Sequence, residues 1–254
     1  MLQFLEDVEE AITYNHEGHL DRFMSLNDLA MAAPNRNWES GRMEDLEEVI
    51  TSYRKALNFC PLDHPDRCII LNTLAKLVYI HYQQLGGMED LDEVITCYRE
   101  ALTLRPIGHP NRFTPLNNLA DAVLARYNQL GRMEDLDDSL TYNCEALSLC
   151  PLGHPNRSLS LNNLANTLFT RFKQSGRMED LDYSITYNCE ALSLCPLGHP
   201  KRSLSLSNLA ITLLVRFTQS GRMEDLDDSI TYNREALTLH PVGHPNRSSS
   251  LNNL

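Results

Sequence analysis

The sequence repeats itself every 45 residues, and this period constrains the fold more than any other feature. The string Gly-Arg-Met-Glu-Asp-Leu, or a variant with Gly in second place, begins at five evenly spaced positions: Gly41, Gly86, Gly131, Gly176 and Gly221. A second marker, related to Gly-His-Pro-Asn-Arg, keeps the same spacing and begins at Gly18, Asp63, Gly108, Gly153, Gly198 and Gly243. Repeats of this length are typical of stacked supersecondary units that cannot bury their apolar faces alone. The chain is therefore predicted to be one repeat array, a kind of fold that commonly serves as a binding surface.

The charge of the chain bears on the class of partner. The formal net charge is -12, whereas a nucleic-acid surface needs clustered Lys and Arg to neutralise phosphates. We expect a protein or peptide partner that is neutral or basic, and no nucleic acid. No apolar stretch is long enough to span a bilayer, and the seven cysteines are an odd number for a disulfide framework. These features predict a reduced, cytoplasmic protein without a membrane partner.

Each repeat is predicted to be a pair of helices. The apolar residues within 161–172 follow the i, i+3, i+4, i+7 spacing of an amphipathic helix, which we call helix A. Ser158 is predicted to cap its N-terminus and Gly176 to end it in a left-handed conformation. Helix B then opens with the carboxylates that follow Met178, where the helix dipole favours negative charge, and ends at Pro196.

The motifs of both helices resemble the tetratricopeptide repeat. Helix A carries Leu-Asn-Asn-Leu-Ala, and helix B ends in Glu-Ala-Leu-x-Leu-x-Pro. The long unit is most similar to the extended repeats of kinesin light chains and of basidiomycete fungal arrays, which often accompany a caspase-like CHAT domain. The resemblance implies an all-α, right-handed superhelical solenoid whose A helices line a concave groove.

The two ends of the sequence depart from the regular pattern. Residues 1–40 lack the Ala-Leu-x-Leu-x-Pro turn and place Pro34 within helix A, so irregular, truncated first repeats of low stability are expected there. Residues 41–254 are predicted to form the regular array, which ends inside a further repeat. We interpret the chain as a fragment of a longer array, or as one with a naturally irregular cap.

Differences between repeats indicate a candidate binding face. The nearly identical units 131–175 and 176–220 differ mainly at i, i+4, i+7, i+8 and i+11 of helix A, which is one stripe beside the constant core stripe. We take this stripe to be free of packing constraint and to contact a partner in the groove; the alternative is simple drift of exposed positions. The predicted groove residues are Asn72, Lys76, Tyr79, Asn117, Asp121, Leu124, Asn162, Asn166, Phe169, Ser207, Ile211 and Leu214.

One column of this face carries an amide in most repeats. Its members are Asn27, Asn72, Asn117 and Asn162, with Ser207 in the fifth place. A carboxamide offers both a donor and an acceptor, so such a column can hold the main chain of a bound peptide. The alternative is a hydrogen bond between the helices of neighbouring repeats, since buried amides also need partners.

The repeated histidines and cysteines do not predict a catalytic or metal site. Equivalent side chains of successive repeats are separated by a helix pair, roughly 10 Å or more, whereas metal ligands converge within about 2 to 2.3 Å of one ion. His before Pro is instead typical of a turn. We expect the cysteine columns to be small core residues and the acidic runs, such as Glu44 and Asp45 with Glu47 and Glu48, to be solvated helix starts. No enzyme activity, metal or cofactor is predicted.

The sequence thus predicts a scaffold that binds a peptide or helical segment in the concave groove of its A helices. The alternative is that the chain is a fragment, or the sensing or autoinhibitory arm, of a larger CHAT-protease or nucleotide-binding signalling protein.

Overall fold

A computed structural model describes residues 43–239, which form α-helices, one short 3-10 turn and no strand. The predictions for residues 1–40, including Asn27, lie outside these described residues. In chain order the helices are α1 (Met43–Phe59), α2 (Arg67–Leu85), α3 (Met88–Thr103), α4 (Phe113–Leu130), α5 (Met133–Ser148), α6 (Arg157–Ser175), α7 (Met178–Ser193), α8 (Arg202–Ser220) and α9 (Met223–Thr238). The even-numbered helices are A helices and the odd-numbered ones are B helices.

Helix A and helix B of one repeat form an antiparallel hairpin. In the repeat of α6 and α7, Arg171 near the end of α6 binds Asp180 near the start of α7. Further from the turn, the Ser184 hydroxyl donates to the Ala165 carbonyl oxygen at 2.8 Å. Residues earlier in α6 contact residues later in α7, so the two helices run in opposite directions.

Of the two predicted ends of helix A, the C-terminal one is correct and the N-terminal one is wrong. Gly176 follows α6 with φ 71°, and its backbone N–H donates to the Phe172 carbonyl, as the left-handed stop requires. The prediction for Ser158 is wrong: α6 already begins at Arg157, so Ser158 lies inside the helix and is 3% exposed. Asn156 occupies the N-cap position without a side-chain cap hydrogen bond.

The core follows the constant stripe of helix A. Leu161, Leu164 and Ala165 are at most 2% exposed. The corresponding leucines and alanines of the other A helices are buried equally deeply, and they are Leu71, Leu74, Ala75, Leu116, Leu119, Ala120, Leu206, Leu209 and Ala210. The predicted core face of helix A is therefore confirmed. The apolar spacing set this face because residues three and four apart share one side of a helix.

The chain divides into two compact units after Arg132. The first unit contains α1 to α4, and the second contains α5 to α9. Within each unit every helix packs against the next one along the chain. No helix among residues 43–239 is both long and apolar enough to cross a membrane. The all-α repeat architecture is as predicted, while the right-handed superhelix stays a prediction.

Helix B changes its buried residue between the units. Tyr98 of the first unit is 1% exposed, and 45 residues later Asn143 is also 1% exposed. The tyrosine of the later repeats stands one place earlier, at Tyr142, and is only half-buried. The one-residue shift of the tyrosine seen in the sequence therefore replaces an aromatic core residue by an amide.

Candidate functional site

The predicted groove residues fall into three classes of solvent exposure. Only Asn166 is exposed. The half-buried members are Asn72, Lys76, Tyr79, Asp121, Phe169, Ser207, Ile211 and Leu214. Asn117, Leu124 and Asn162 are buried, at 5%, 7% and 1% exposure. The expectation that the whole stripe is free of packing constraint is therefore wrong for these three residues. We use the name A-helix face for the nine accessible residues.

In the second unit the A-helix face is mostly apolar. Phe169 stacks on Phe172, with ring centroids 6.3 Å apart, and the Lys173 ammonium lies 5.1 Å above the Phe169 ring. Phe169 and Val215 both pack from the side against the buried cluster that contains Phe172. A side chain anchored in this way keeps one surface accessible in a fixed position, which suits recognition of an apolar group.

In the first unit the A-helix face is polar and contains titratable groups. Burial lowers the pKa of Lys76, and it raises the pKa of Asp121 to about 7 and of Tyr79 to about 12. Tyr79 also stacks on Tyr82, with ring centroids 5.8 Å apart. The same helical positions thus carry different chemistry in the two units.

One member of the asparagine column, Asn162, links two helices in the second unit. Asn162 Nδ2 donates to Ser205 Oγ at 3.0 Å, which links α6 to α8 of the next repeat. The helix-to-helix alternative is therefore correct for Asn162. In the first unit, Asn72 Nδ2 lies 3.5 Å from Cys68 Sγ one helical turn earlier. Since Asn162 is 1% exposed, a bound peptide could contact it only if the packing around it opened.

The histidines stabilise the turns, as predicted. Nδ1 of each accepts a hydrogen bond of 3.1 to 3.2 Å from the backbone N–H two residues later, and these histidines are His64, His109, His154 and His199. Such bonds close the turn before helix A. Within the described part of the chain, no three His, Cys, Asp or Glu side chains converge in a way that could hold a metal ion.

The prediction that the cysteine columns are core residues is correct for Cys150 and Cys195 and wrong for Cys144 and Cys189. Cys150 and Cys195 are fully buried, and Cys60 is half-buried. Cys144 and Cys189 are exposed, so they are not core residues. The reason is helical geometry: the residue before each of them points into the core, and the next side chain is rotated by about 100° towards solvent.

An arginine network that the sequence analysis missed joins successive repeats. Arg157 Nε donates to Glu190 in helix B of its own repeat at 2.7 Å, and Arg157 Nη1 donates to the Cys150 carbonyl of the preceding turn, also at 2.7 Å. Arg202 makes the same two contacts with Glu235 and Cys195. The signal was present, because the Arg of the turn marker and the Glu of Glu-Ala-Leu lie 33 residues apart in four successive repeats, from Arg67 and Glu100 to Arg202 and Glu235.

The acidic start of helix B is not wholly solvated. Glu47 and Glu48 are exposed, as expected. Asp180, however, is 1% exposed and receives two hydrogen bonds from Arg171 at 2.6 and 2.8 Å. The equivalent Asp225 is 2% exposed, and its bond from the arginine of α8 holds its pKa below the usual range. This carboxylate fixes the hairpin turn, so the solvated-start interpretation is wrong for it.

Comparison with known structures identifies the architecture. No family model and no curated protein matches the sequence. Crystal structures of repeat proteins do match. BtubC (BKLC) from P. vanneervenii is 18% identical with a TM-score of 0.62, and the match covers 96% of this chain and 92% of that one.

Two further structures agree with this result. A Podosopora anserina putative kinesin light chain of nearly identical TPR-like repeats is 16% identical with a TM-score of 0.59, covering 86% of this chain and 98% of that one. A thermophilic TPR protein of Thermus thermophilus is 15% identical with a TM-score of 0.59, covering 91% of this chain and 97% of that one. At such low identity the likeness concerns the fold, and the fold of this chain is that of an extended tetratricopeptide-like repeat array.

Proposed function

We propose that the chain is a protein-interaction scaffold that binds a peptide or helical segment of another protein along the A-helix face. The observation that carries the proposal is a contrast in accessibility on one helix. In α6 the constant residues Leu161 and Leu164 are buried, whereas Asn166 and Phe169, which differ from the next repeat, remain accessible. When the accessible residues of a helix vary while its buried residues stay constant, the helix can bind different partners without a change of fold.

The chemistry of the second unit favours an apolar anchor in the partner. The half-buried ring of Phe169, which stacks on the buried Phe172, offers an apolar surface, and the half-buried Ile211 and Leu214 add apolar groups on α8. A leucine or aromatic side chain of the partner would remove this surface from water, which stabilises a complex by about 25 cal/mol per Å² before association costs are subtracted. Lys173 above the ring adds one cation to this apolar surface.

The overall charge favours a partner that is neutral or basic. At a net charge of -12, long-range repulsion disfavours acidic segments and steers basic ones towards the chain. In this proposal the buried Asn117 and Asn162 position the A helices, while the accessible residues make the contacts. The function requires no chemical step, cofactor or metal, and we place it in the cytoplasm.

A matched pair of variants tests which face binds. Peptides selected from a random displayed library by the full chain would be measured against Asn166→Arg and Thr186→Arg, both at exposed positions, the first in helix A and the second in helix B. Asn166→Arg should weaken binding about tenfold or more, because a long cation then occupies the face, and Thr186→Arg should change it less than about twofold. Circular dichroism checks that both variants fold.

The opposite pattern would refute the proposal. If Thr186→Arg abolishes peptide binding and Asn166→Arg leaves it intact, the binding surface lies on the B helices. If no selected peptide binds the folded chain above background, the chain is not a peptide scaffold.

A further inference from the structure

The turns between repeats expose large aliphatic side chains. The residue after the first proline of each turn is at least 73% exposed, and these residues are Leu62 (73%), Ile107 (87%), Leu152 (82%) and Leu197 (81%). In the second unit the prolines on either side of them are exposed as well. One exposed leucine is ordinary, but an exposed aliphatic side chain at the same place in each of the four described turns is a recurrent feature.

In the second unit two of these turns lie on one edge. The Arg157 and Arg202 contacts hold the two turns in the same conformation. The hydrogen bond between Asn162 and Ser205 connects the helices that begin at those turns. Leu152 and Leu197 are therefore presented by neighbouring repeats on the same side. We define the turn edge as Pro151, Leu152, Pro155, Pro196, Leu197 and Pro200.

We propose that the turn edge of the second unit binds the same edge of a second copy of this chain. Two copies that each carry a net charge of -12 repel one another across most of their surfaces. Residues 150–156 and 195–201 contain no acidic residue, and Lys201 is their only Lys or Arg. Glu190, which reaches towards the first of these turns, is paired with Arg157 at 2.7 Å. The apolar turn edge is thus a place where two copies can meet without like-charge repulsion between acids.

The repeat geometry makes the edge complementary to itself. A two-fold arrangement sets Leu152 against the partner's Leu197, and Leu197 against the partner's Leu152, at a spacing that is the same in both copies. It also places Lys201 beside the partner's Asn156 rather than beside a second lysine. Such an isologous contact closes at the dimer and does not grow into a fibre.

The contact is small, so the expected association is weak. Six residues per copy form the turn edge, compared with roughly 20 to 30 residues a side in a standard stable interface. We therefore expect a weak, transient dimer that forms only at high protein concentration.

Sedimentation velocity of the full chain over a range of concentrations tests the proposal. The chain should dimerise, and the double variant Leu152→Asp with Leu197→Asp should dimerise about tenfold more weakly or not at all, because the contact would bury unpaired carboxylates. Leu85→Asp is the matched control, since Leu85 is 65% exposed but is the last residue of α2 and not part of a turn between repeats. The control should dimerise like the unaltered chain. Added salt should tighten the dimer by screening the repulsion.

Three results would overturn the proposal. The first is a monomer at every concentration up to the solubility limit. The second is a dimer that the double variant leaves unchanged although circular dichroism shows it folded. The third is growth to species larger than a dimer, or a dimer that added salt dissociates, because either indicates a different contact.

Discussion

The first and second units use the same 45-residue repeat but fill helix B with different chemistry. In the first unit the apolar Val94 and the aromatic Tyr98 occupy the interior, at 0% and 1% exposure. The second unit places serine and asparagine at the same two positions, and these residues are Ser139, Asn143, Ser184, Asn188, Ser229 and Asn233, all at most 2% exposed. One backbone therefore accepts both an apolar and a polar interior.

The polar interior is held by specific hydrogen bonds. Ser139 Oγ and Asn143 Nδ2 both contact Thr167 Oγ1, at 3.1 and 3.0 Å. Asn143 Oδ1 is nevertheless buried with no hydrogen-bond partner among the described residues, and the same is true of Asn188 Oδ1. A buried polar group lowers stability unless it is bonded, so the second unit depends on bond geometry where the first depends on packing.

Tyr98→Asn should have the largest effect on stability. It places the asparagine of the second unit at the same position in the first unit, where that asparagine lacks its hydrogen-bond partners. We expect a loss of about 3 to 5 kcal/mol, the usual cost of removing a buried aromatic ring. Denaturant unfolding with hydrogen exchange of the first unit measures it. Tyr142→Asn is the control, since Tyr142 is half-buried and should cost clearly less. Equal losses would mean that the two tyrosine positions do not differ in packing.

Leu164→Ala tests the leucine position of helix A that is buried in both units. Leu164 is 2% exposed and its first-unit equivalent Leu119 is 0% exposed, so each substitution should cost about 2 to 5 kcal/mol. Asn166→Ala, on the accessible side of the same helix, should cost under about 0.5 kcal/mol. Unfolding curves for the three variants provide the measurement. A cost for Asn166→Ala that approaches that of Leu164→Ala would show that the helix faces are assigned wrongly.

Thr167→Val sharpens the comparison by removing one oxygen from the polar interior. Valine has a similar shape but leaves Ser139 and Asn143 without their shared partner, so the expected loss is about 1 to 3 kcal/mol. Thr212→Val is the matched control, because the Thr212 hydroxyl bonds carbonyls of its own helix. It should cost under about 1 kcal/mol. A second unit that becomes more stable on Thr167→Val would show that the bonds do not support the fold.

A pH titration should distinguish the two units by a smaller effect. A buried carboxyl group changes the stability of each unit with pH, and the two changes have opposite signs. Burial raises the pKa of Asp121 from 3.8 to about 7, so the folded first unit holds this proton more tightly than the unfolded chain does. Stability of the first unit should therefore fall as pH rises from about 4 to about 7, and Asp121→Asn should stabilise it at pH ~8 but not at pH ~4.

The second unit provides the contrast for this titration. Asn166 and Ile211 stand at the position of Asp121 and do not titrate. The pKa of Asp225 is lowered by Arg216, so its contribution is present at neutral pH and is lost only in acid, below the usual range of a carboxyl group. Thermal unfolding and residue-resolved exchange at both pH values test the prediction. It fails if Asp121→Asn has the same effect in acid as in mild alkali.

The sequence predicted the period, the helix pairs and the leucine and alanine core of helix A, because each follows from spacing along one helix. The sequence did not predict how deeply each side chain is buried. Asn162 lies beside the core stripe, and only the neighbouring repeat that supplies Ser205 makes its position buried. Asp180 looked like a solvated charge because its partner Arg171 belongs to the preceding helix. Contacts between helices decided these cases, and a single-helix pattern carries no information about them.

The arginine of each turn also has a consequence for how such an array can change length. Arg157 reaches back 7 residues to the Cys150 carbonyl and forward 33 residues to Glu190. The same two offsets recur at Arg202. Because residues 67–239 keep this pattern with a period of 45 residues, inserting or deleting a block of that length within them restores all three groups at the new junction. Unequal recombination within the coding sequence can therefore produce longer or shorter arrays whose joints keep their arginine contacts.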